Sequence, residues 1–283
     1  MSEAIKNRYD FVFLFDVKDG NPNGDPDQVN LPRADAEDQH GLVTDVCIKR
    51  KVRNYVMLEK KLEDRFDIFI RQGQVLNSLI DAAVGETIRN RQENLADKYF
   101  DIRTFGAVLS TGDKGAGTIR GPVQFTFSRS EDRIFQAEHS ITRCAVTTPE
   151  DAKKQENREY ASTFGRKSTV PYALYRMHGF VSVMDAEKTK FSEEDLKLLW
   201  KSLINAFEHD RAAARGEMNP RKLVIFKHAS HLGNELSGRL FDRVTVTKNS
   251  ELPRSKNDYT IDVDKNNLPA GVQVTMWPEE VVY

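Results

Sequence analysis

The run Phe11-Val12-Phe13-Leu14-Phe15 contains no polar residue, and this constrains the chain more than any other feature. It is rich in β-forming side chains and is closed by Asp19-Gly20, so it is predicted as a buried central strand. The segment that follows, residues 21–41, carries three prolines and, counting Gly20, three glycines. Such a composition predicts a long loop without helix or strand, and loops longer than about 15 residues are usually functional or disordered. Thr44 or Asp45 can then N-cap a helix in which Ile48, Val52, Tyr55, Val56 and Leu62 recur at helical spacing and face the sheet. Lys49, Arg50 and Arg53 fall on the flank of that stripe, a basic row near the mouth of the loop.

The remaining chain alternates in the same way. Residues 63–99 are polar, are predicted to be helical in pieces, and resemble an insertion. RTFGAVLS, from Arg103, reads as a second strand, and the glycine-rich stretch 111–121 reads as irregular. VQFTFSRS alternates as a half-buried strand does. Residues 141–170 mix Arg143, Lys153, Lys154, Arg158, Arg166 and Lys167 with Glu150, Asp151, Glu156 and Glu159, which predicts an extended arm. A strand over 172–185, a helix capped by Ser192 with Leu196, Leu199, Trp200, Leu203 and Phe207 on one face, and a strand RKLVIFKHAS complete the pattern. From Leu232 on, a β-rich tail is expected. Without the inserts the order is strand, helix, strands, helix, strand. That is the α+β, ferredoxin-like (RRM-like) arrangement, whose open sheet is a frequent RNA platform.

Charge and cysteine content exclude several function classes. The net charge is −1, yet residues 10–45 hold nine acids against Lys18 and Arg33, while residues 46–60 hold five cations against Glu59. Local basic patches can bind phosphate backbones inside a neutral protein. Cys47 and Cys144 lie in no CxxC or Cys/His cluster, and the histidines, His228 and His231 included, lack a third ligand at suitable spacing. Asp19, Asn21, Asn23, Gly24, Asp25 and Asp27 match the early positions of a calcium loop, but Asn30 stands where a bidentate Glu is required. No metal or cofactor is therefore expected. Gly and Asn tolerate positive φ, and backbone amides with Asn side chains can hold phosphate or sugar without reading bases. A second glycine surface at 111–121 has Lys114 and Arg120 to supply charge. The N-terminus MSEAIKNRYD has no apolar secretion segment and no run approaches a membrane span, which points to the cytoplasm.

FLFDVKDGNPNGDPDQ, followed by LPRADAEDQHGLVTDVCIKRKVRNY, resembles the N-terminal signature of the CRISPR-associated backbone subunit of Cascade, most closely the type I-C branch of the repeat-associated (RAMP) superfamily. The resemblance continues through FGAVLSTGDKGAGTIRGPVQF, SITRCAVTT, GRKSTVPYALYRMHGFVS and LGNELSGRLFDRV, most of the chain. It implies a palm formed by 1–62, 100–140 and 171–283, a finger-like insertion at 63–99, and a protruding thumb hairpin at 141–170. It also implies a non-catalytic protein whose copies polymerise along a guide crRNA beside other Cascade subunits and present the guide to target DNA. Asn21, Asn23, Gly24, Arg33, Lys49, Arg50, Arg53, Arg143, Arg166 and Lys167 would then contact RNA. Backbone subunits of type III complexes cut target RNA with an acidic loop residue, so a metal-dependent endoribonuclease stays open as the alternative.

Overall fold

Strand β1 (Tyr9–Gly20) forms as its composition demands: Phe11 to Phe15 are all fully buried. At about 1.5–3 kcal/mol for each large apolar side chain removed from water, a strand buried on both faces needs a layer on each side. The computed structural model describes residues 3–112, 114–143, 145–156 and 164–283, so Cys144, Arg158 and Glu159 lie outside the described residues, as do the side chains of Lys154 and Glu156.

The main sheet runs Val272–Trp277, Glu217–His228, β1, Phe164–Val181, Ser128–Arg133, His40–Val43, with every neighbouring pair antiparallel. Without the two edge strands, the spatial order of the four central strands is 4-1-3-2 in chain order, the ferredoxin-like arrangement. Helix α1 (Asp45–Lys60) and the helix Glu193–Ile204 cover one face, where Phe11, Phe13 and Phe15 meet Ile48, Val52, Leu199 and Trp200. Thr44 is the N-cap of α1, and Ser192 forms a capping box with Asp195.

The opposite face is not open, contrary to the RNA-platform expectation. Val12, Leu14, Leu174, Val224 and Phe226 are covered by Leu240, Phe241, Val244 and Tyr259 from the C-terminal segment. The reason was present in the sequence: β1 has no polar face to offer water. The tail is β-rich as expected, with a hairpin of Val244–Lys248 and Tyr259–Val263, while Val272–Trp277 joins the main sheet.

Four local expectations need correction. The segment 21–41 is not structureless: Gly24–Asp25 pairs with Leu31–Pro32 around a 3-10 turn at Pro26–Gln28, and His40–Val43 forms the edge of the sheet. RTFGAVLS begins as the end of a helix, Phe100–Phe105, and continues as Gly106–Leu109, a strand outside the main sheet. That strand pairs with Gly117–Arg120, so part of the glycine-rich stretch is regular. A separate apolar cluster joins Phe69, Ile80, Leu95, Tyr99 and Ile102 to Leu109 and Ala116, so this pair of strands packs with the helices Leu76–Asp81 and Ile88–Lys98. Finally, Ala137–Thr142 pairs with 164–169 of the long strand, a two-stranded ribbon that takes in both ends of the expected arm, 141–142 and 164–169. The helix Pro149–Glu156 lies within the connection between those two strands. Among the described residues no helix is long and apolar enough to cross a membrane.

Candidate nucleic-acid interface

The end of β1, the loop after it, the first turn of α1 and the segment before Glu217–His228 converge on one groove. Close backbone approach makes this possible: a Cβ on Gly20 would fall 1.9 Å from the carbonyl oxygen of Arg215. Gly216 sits at φ +60° against the carbonyl of Lys18. The Asn21 amide then donates to the Ala214 carbonyl at 2.8 Å, joining the loop to residues 210–216. Behind them Lys51, with only 3% of its side chain exposed, pairs with Asp210, which also takes Arg215 at 2.8 Å.

Two cavities occupy this region. One of about 480 Å³ is lined by Asn21, Asn23, Gly24, Arg50, Lys51 and Arg215 among others. The second, of about 670 Å³, is walled by Arg166, Lys167 and Glu138 at the root of the ribbon. Asn21, Asn30 and Ala214 line both, so the two form one groove with a shared floor. Its cations come from different elements: Arg50 from α1, Arg215 from the segment before Glu217–His228, and Arg166 and Lys167 from the long strand. Arg50 donates from Nη1 to the Ile70 carbonyl at 2.8 Å. Burial lowers its pKa, and the neighbouring Arg53 lowers it further. Lys167 donates to the Ala213 carbonyl across the groove.

The structure thus brings together Asn21, Asn23, Gly24, Arg50, Arg166 and Lys167. The Asn23 side-chain oxygen accepts from both the amide and the hydroxyl of Thr44 at 2.9 Å, so it positions the cap of α1. Gly24 is required for a local reason: a Cβ there would fall 1.8 Å from Oδ1 of Asn30. Arg33 pairs with Asp25 at 3.5 Å beside the groove. Lys49 pairs with Asp45 at 2.8 Å, with its ammonium 5.5 Å from the centre of the Phe105 ring.

Arg53 is buried, with Nε 2.8 Å from Asp101, and Asp101 accepts the amides of Phe69 and Ile70 as well. That cation clamps the segment around residue 70 to α1. Lys114, Arg120 and Arg143 do not line the groove. The Lys114 amide donates to Asp81, Arg120 pairs with Asp185 at 3.4 Å, and Arg143 donates to the Ala145 carbonyl at 2.7 Å. Sequence reasoning missed Lys51, Asp210 and Arg215. The one available signal was the segment DRAAARG at 210–216, which combines arginines with small residues.

Several acids of β1 and of the loop after it hold structure together. Asp16 is buried and accepts from Tyr172, Asn219 and Arg221, while Asp35 and Asp38 share Arg129. The backbone amide of His40 and then the bond to Arg129 keep Asp38 low, at about 2. His228 is buried, 2.9 Å from Asp10, and its Nδ1 accepts the amide of Asn234, a structural role. Among the described residues no three His, Cys, Asp or Glu side chains come together in a group that could hold a metal ion.

A family model described as CRISPR-associated protein Cas7 matches residues 7–264. A curated CRISPR-associated protein Cas7 from Haloferax volcanii is 26% identical over 289 aligned positions, covering 91% of this chain and 81% of that protein. A chain of a solved CRISPR RNA-guided surveillance complex in a pre-nicking state has a similar fold, with a TM-score of 0.52 at 12% identity over 77% of this chain and 78% of that one. With the family model spanning the central sheet, both covering layers and the groove, the chain belongs to the Cas7 family of CRISPR-associated proteins.

Proposed function

We propose that the protein holds a guide crRNA in this groove as a non-catalytic backbone subunit of a CRISPR surveillance complex of the type I-C branch. Several copies line one guide, beside other subunits, and leave its bases free to pair with target DNA. The observation that carries the reading is the groove itself. Cations from three separate elements wall a floor of Asn21, Asn30 and Ala214, none of which is charged. Such a surface grips phosphate and sugar and carries no base-reading pattern, which suits a protein that must accept any guide sequence. The finger-like part is assigned to 63–99 and the thumb to 141–170, the latter in keeping with the paired ribbon at its root. Lys114, Arg120 and Arg143, outside the groove, are proposed as contacts with more distant parts of the bound nucleic acid.

The test is RNA retention. Arg166→Glu with Lys167→Glu is expected to abolish co-purifying RNA while leaving the melting temperature unchanged; RNA retained at the wild-type level refutes the groove. The endoribonuclease alternative is decided by incubating the RNA-bound protein with complementary RNA and magnesium. Periodic cleavage that disappears in Asp19→Ala or Asp25→Ala replaces the scaffold reading with the enzymatic one.

A further inference from the structure

Val29 combines two properties that rarely occur together in a folded chain. It is 90% exposed, more than any other large apolar residue among the described residues, and it belongs to none of the apolar clusters. Its backbone sits at φ 51° and ψ 37°, the left-handed region, where a β-branched side chain crowds its own backbone. Solitary exposed valines are ordinary, but one held in a strained backbone marks a site that uses it. Asparagine or glycine closes such a turn without strain, as Asn30 does at φ 60° in the next position. The conformation is imposed from both sides. Asp25 caps the turn before Val29 by accepting the Asp27 amide at 3.1 Å, and the Asn30 amide donates to the Asp25 carbonyl at 2.8 Å. The Asn30 carbonyl in turn accepts from Nδ2 of Asn21 at 2.7 Å. The loop therefore presents this side chain as a fixed apolar knob. It does so in the lining of the 670 Å³ cavity together with Arg166 and Lys167, where Glu138 is the only acid among the described residues.

That setting fixes the chemistry of what Val29 meets. The cations suit a phosphate backbone, to which a valine has nothing to offer. The surface that a nucleic acid strand presents to an apolar side chain is the flat face of a base, and every base has one. A contact on the face leaves the pairing edge free, as a guide requires. We infer that Val29 packs against the face of one nucleobase of the bound strand, so that the groove holds a base as well as the backbone without reading its identity. The inference rests on the guide-holding reading. It leaves the phosphate grip to Arg50, Arg166, Lys167 and Arg215, and adds the one contact that their charge cannot supply.

The experiment measures, at low salt, binding of the full-length protein to two fluorescent RNA strands of equal length: oligouridine, and a ribose-phosphate strand with every base removed. Two variants accompany the wild type. Val29→Asn suits the left-handed backbone and removes the apolar surface, whereas Val29→Leu keeps that surface. Covering about half of a valine side chain is worth about 3- to 10-fold in affinity. Val29→Asn is therefore expected to bind oligouridine about 3- to 10-fold more weakly than the wild type and to bind the abasic strand equally well. Its slope of log affinity against log salt is expected to match the wild type, because no phosphate contact is lost. Val29→Leu is expected to bind both strands as the wild type does. Because Val29→Asn should melt no lower than the wild type, its weaker binding cannot come from unfolding. A Val29→Asn protein that binds oligouridine at wild-type strength overturns the inference. So does an equal loss on both strands, which moves the contact to the sugar or the phosphate. So does intact RNA binding with self-association lost in sedimentation, which assigns Val29 to a contact with a second copy. In each of those outcomes the wild-type protein still binds RNA and the guide-holding reading survives. Failure of the wild-type protein to bind oligouridine overturns that reading, and the inference with it.

Discussion

Replacing Arg53 with methionine separates a structural cation from a gripping one. Arg53 and Arg50 stand on the same helix in the same basic row, yet Arg53 is 8% exposed and paired with an Asp101 that is 1% exposed. Arg53→Met removes the partner of a buried charge, a change that typically costs about 3–5 kcal/mol. Asp101 keeps the amides of Phe69 and Ile70 as donors at 2.8 and 3.0 Å, which moves the expected cost below that range, to about 2–4 kcal/mol. For a chain of this size each kcal/mol lowers the melting temperature by roughly 2–3 °C, which gives a drop of about 4–12 °C. Arg166→Met removes an exposed side chain and should leave the melting temperature within about 1 °C. RNA titrations between about 50 and 200 mM salt should then show the converse. Arg166→Met lowers the slope of log affinity against log salt by about 0.7, one phosphate contact on a single strand, while Arg53→Met leaves the slope unchanged at temperatures where it is folded. Thermal melts and fluorescence anisotropy on the two proteins are sufficient. An Arg53→Met protein that melts like the wild type and has a reduced salt slope refutes the assignment.

Three further outcomes are expected. Val29 is 90% exposed and holds φ at +51°, a left-handed conformation that is strained for a β-branched residue; Val29→Asn should raise stability by about 0.5–1 kcal/mol in urea denaturation, and a loss of stability refutes the strain argument. Gly24→Ala should disrupt the Asn30 side of the groove, because the new methyl would meet Oδ1 of Asn30 at 1.8 Å, and RNA affinity should fall; unchanged affinity refutes the role of that contact. His178 is stacked on Phe241, and burial, reinforced by Arg176 and opposed by Asp242, pulls its pKa down to about 4. The unfolded chain therefore binds the extra proton first as pH falls through 6.5. Stability should decline between about pH 6.5 and 4, and His178→Gln should flatten that decline in urea midpoints measured across the window.

Much of the fold was readable in order along the chain. The caps at Thr44 and Ser192, the apolar stripes of both covering helices and the tail strands are local patterns, set by backbone chemistry within a few residues. The edge strand at 40–43 and the helix at 100–105 were not readable, because their stability comes from pairing and packing partners distant in sequence; the hairpin at 24–32 is local, but its strands of two residues each are too short to leave an alternating pattern. His40–Val43, for example, exists as a strand because Ser128–Arg133 offers it an unpaired edge.

The candidate site divides along the same line. Helical spacing alone placed Lys49, Arg50 and Arg53 in one row, and loop composition alone singled out Asn21, Asn23 and Gly24. Spacing reports which face a side chain occupies, and cannot report what faces it. Arg53 met Asp101, 48 residues away, and Lys51 met Asp210, 159 residues away, so tertiary structure turned two cations of one basic helix into internal ion pairs. The same folding brought Arg166, Lys167 and Arg215 to the walls of a floor set by Asn21. The sequence by itself determined the doubly buried strand, the loop after it and the basic helix. Only the tertiary structure decided which charges are neutralised inside and which remain at the groove, because a charge is neutralised by its neighbours in space.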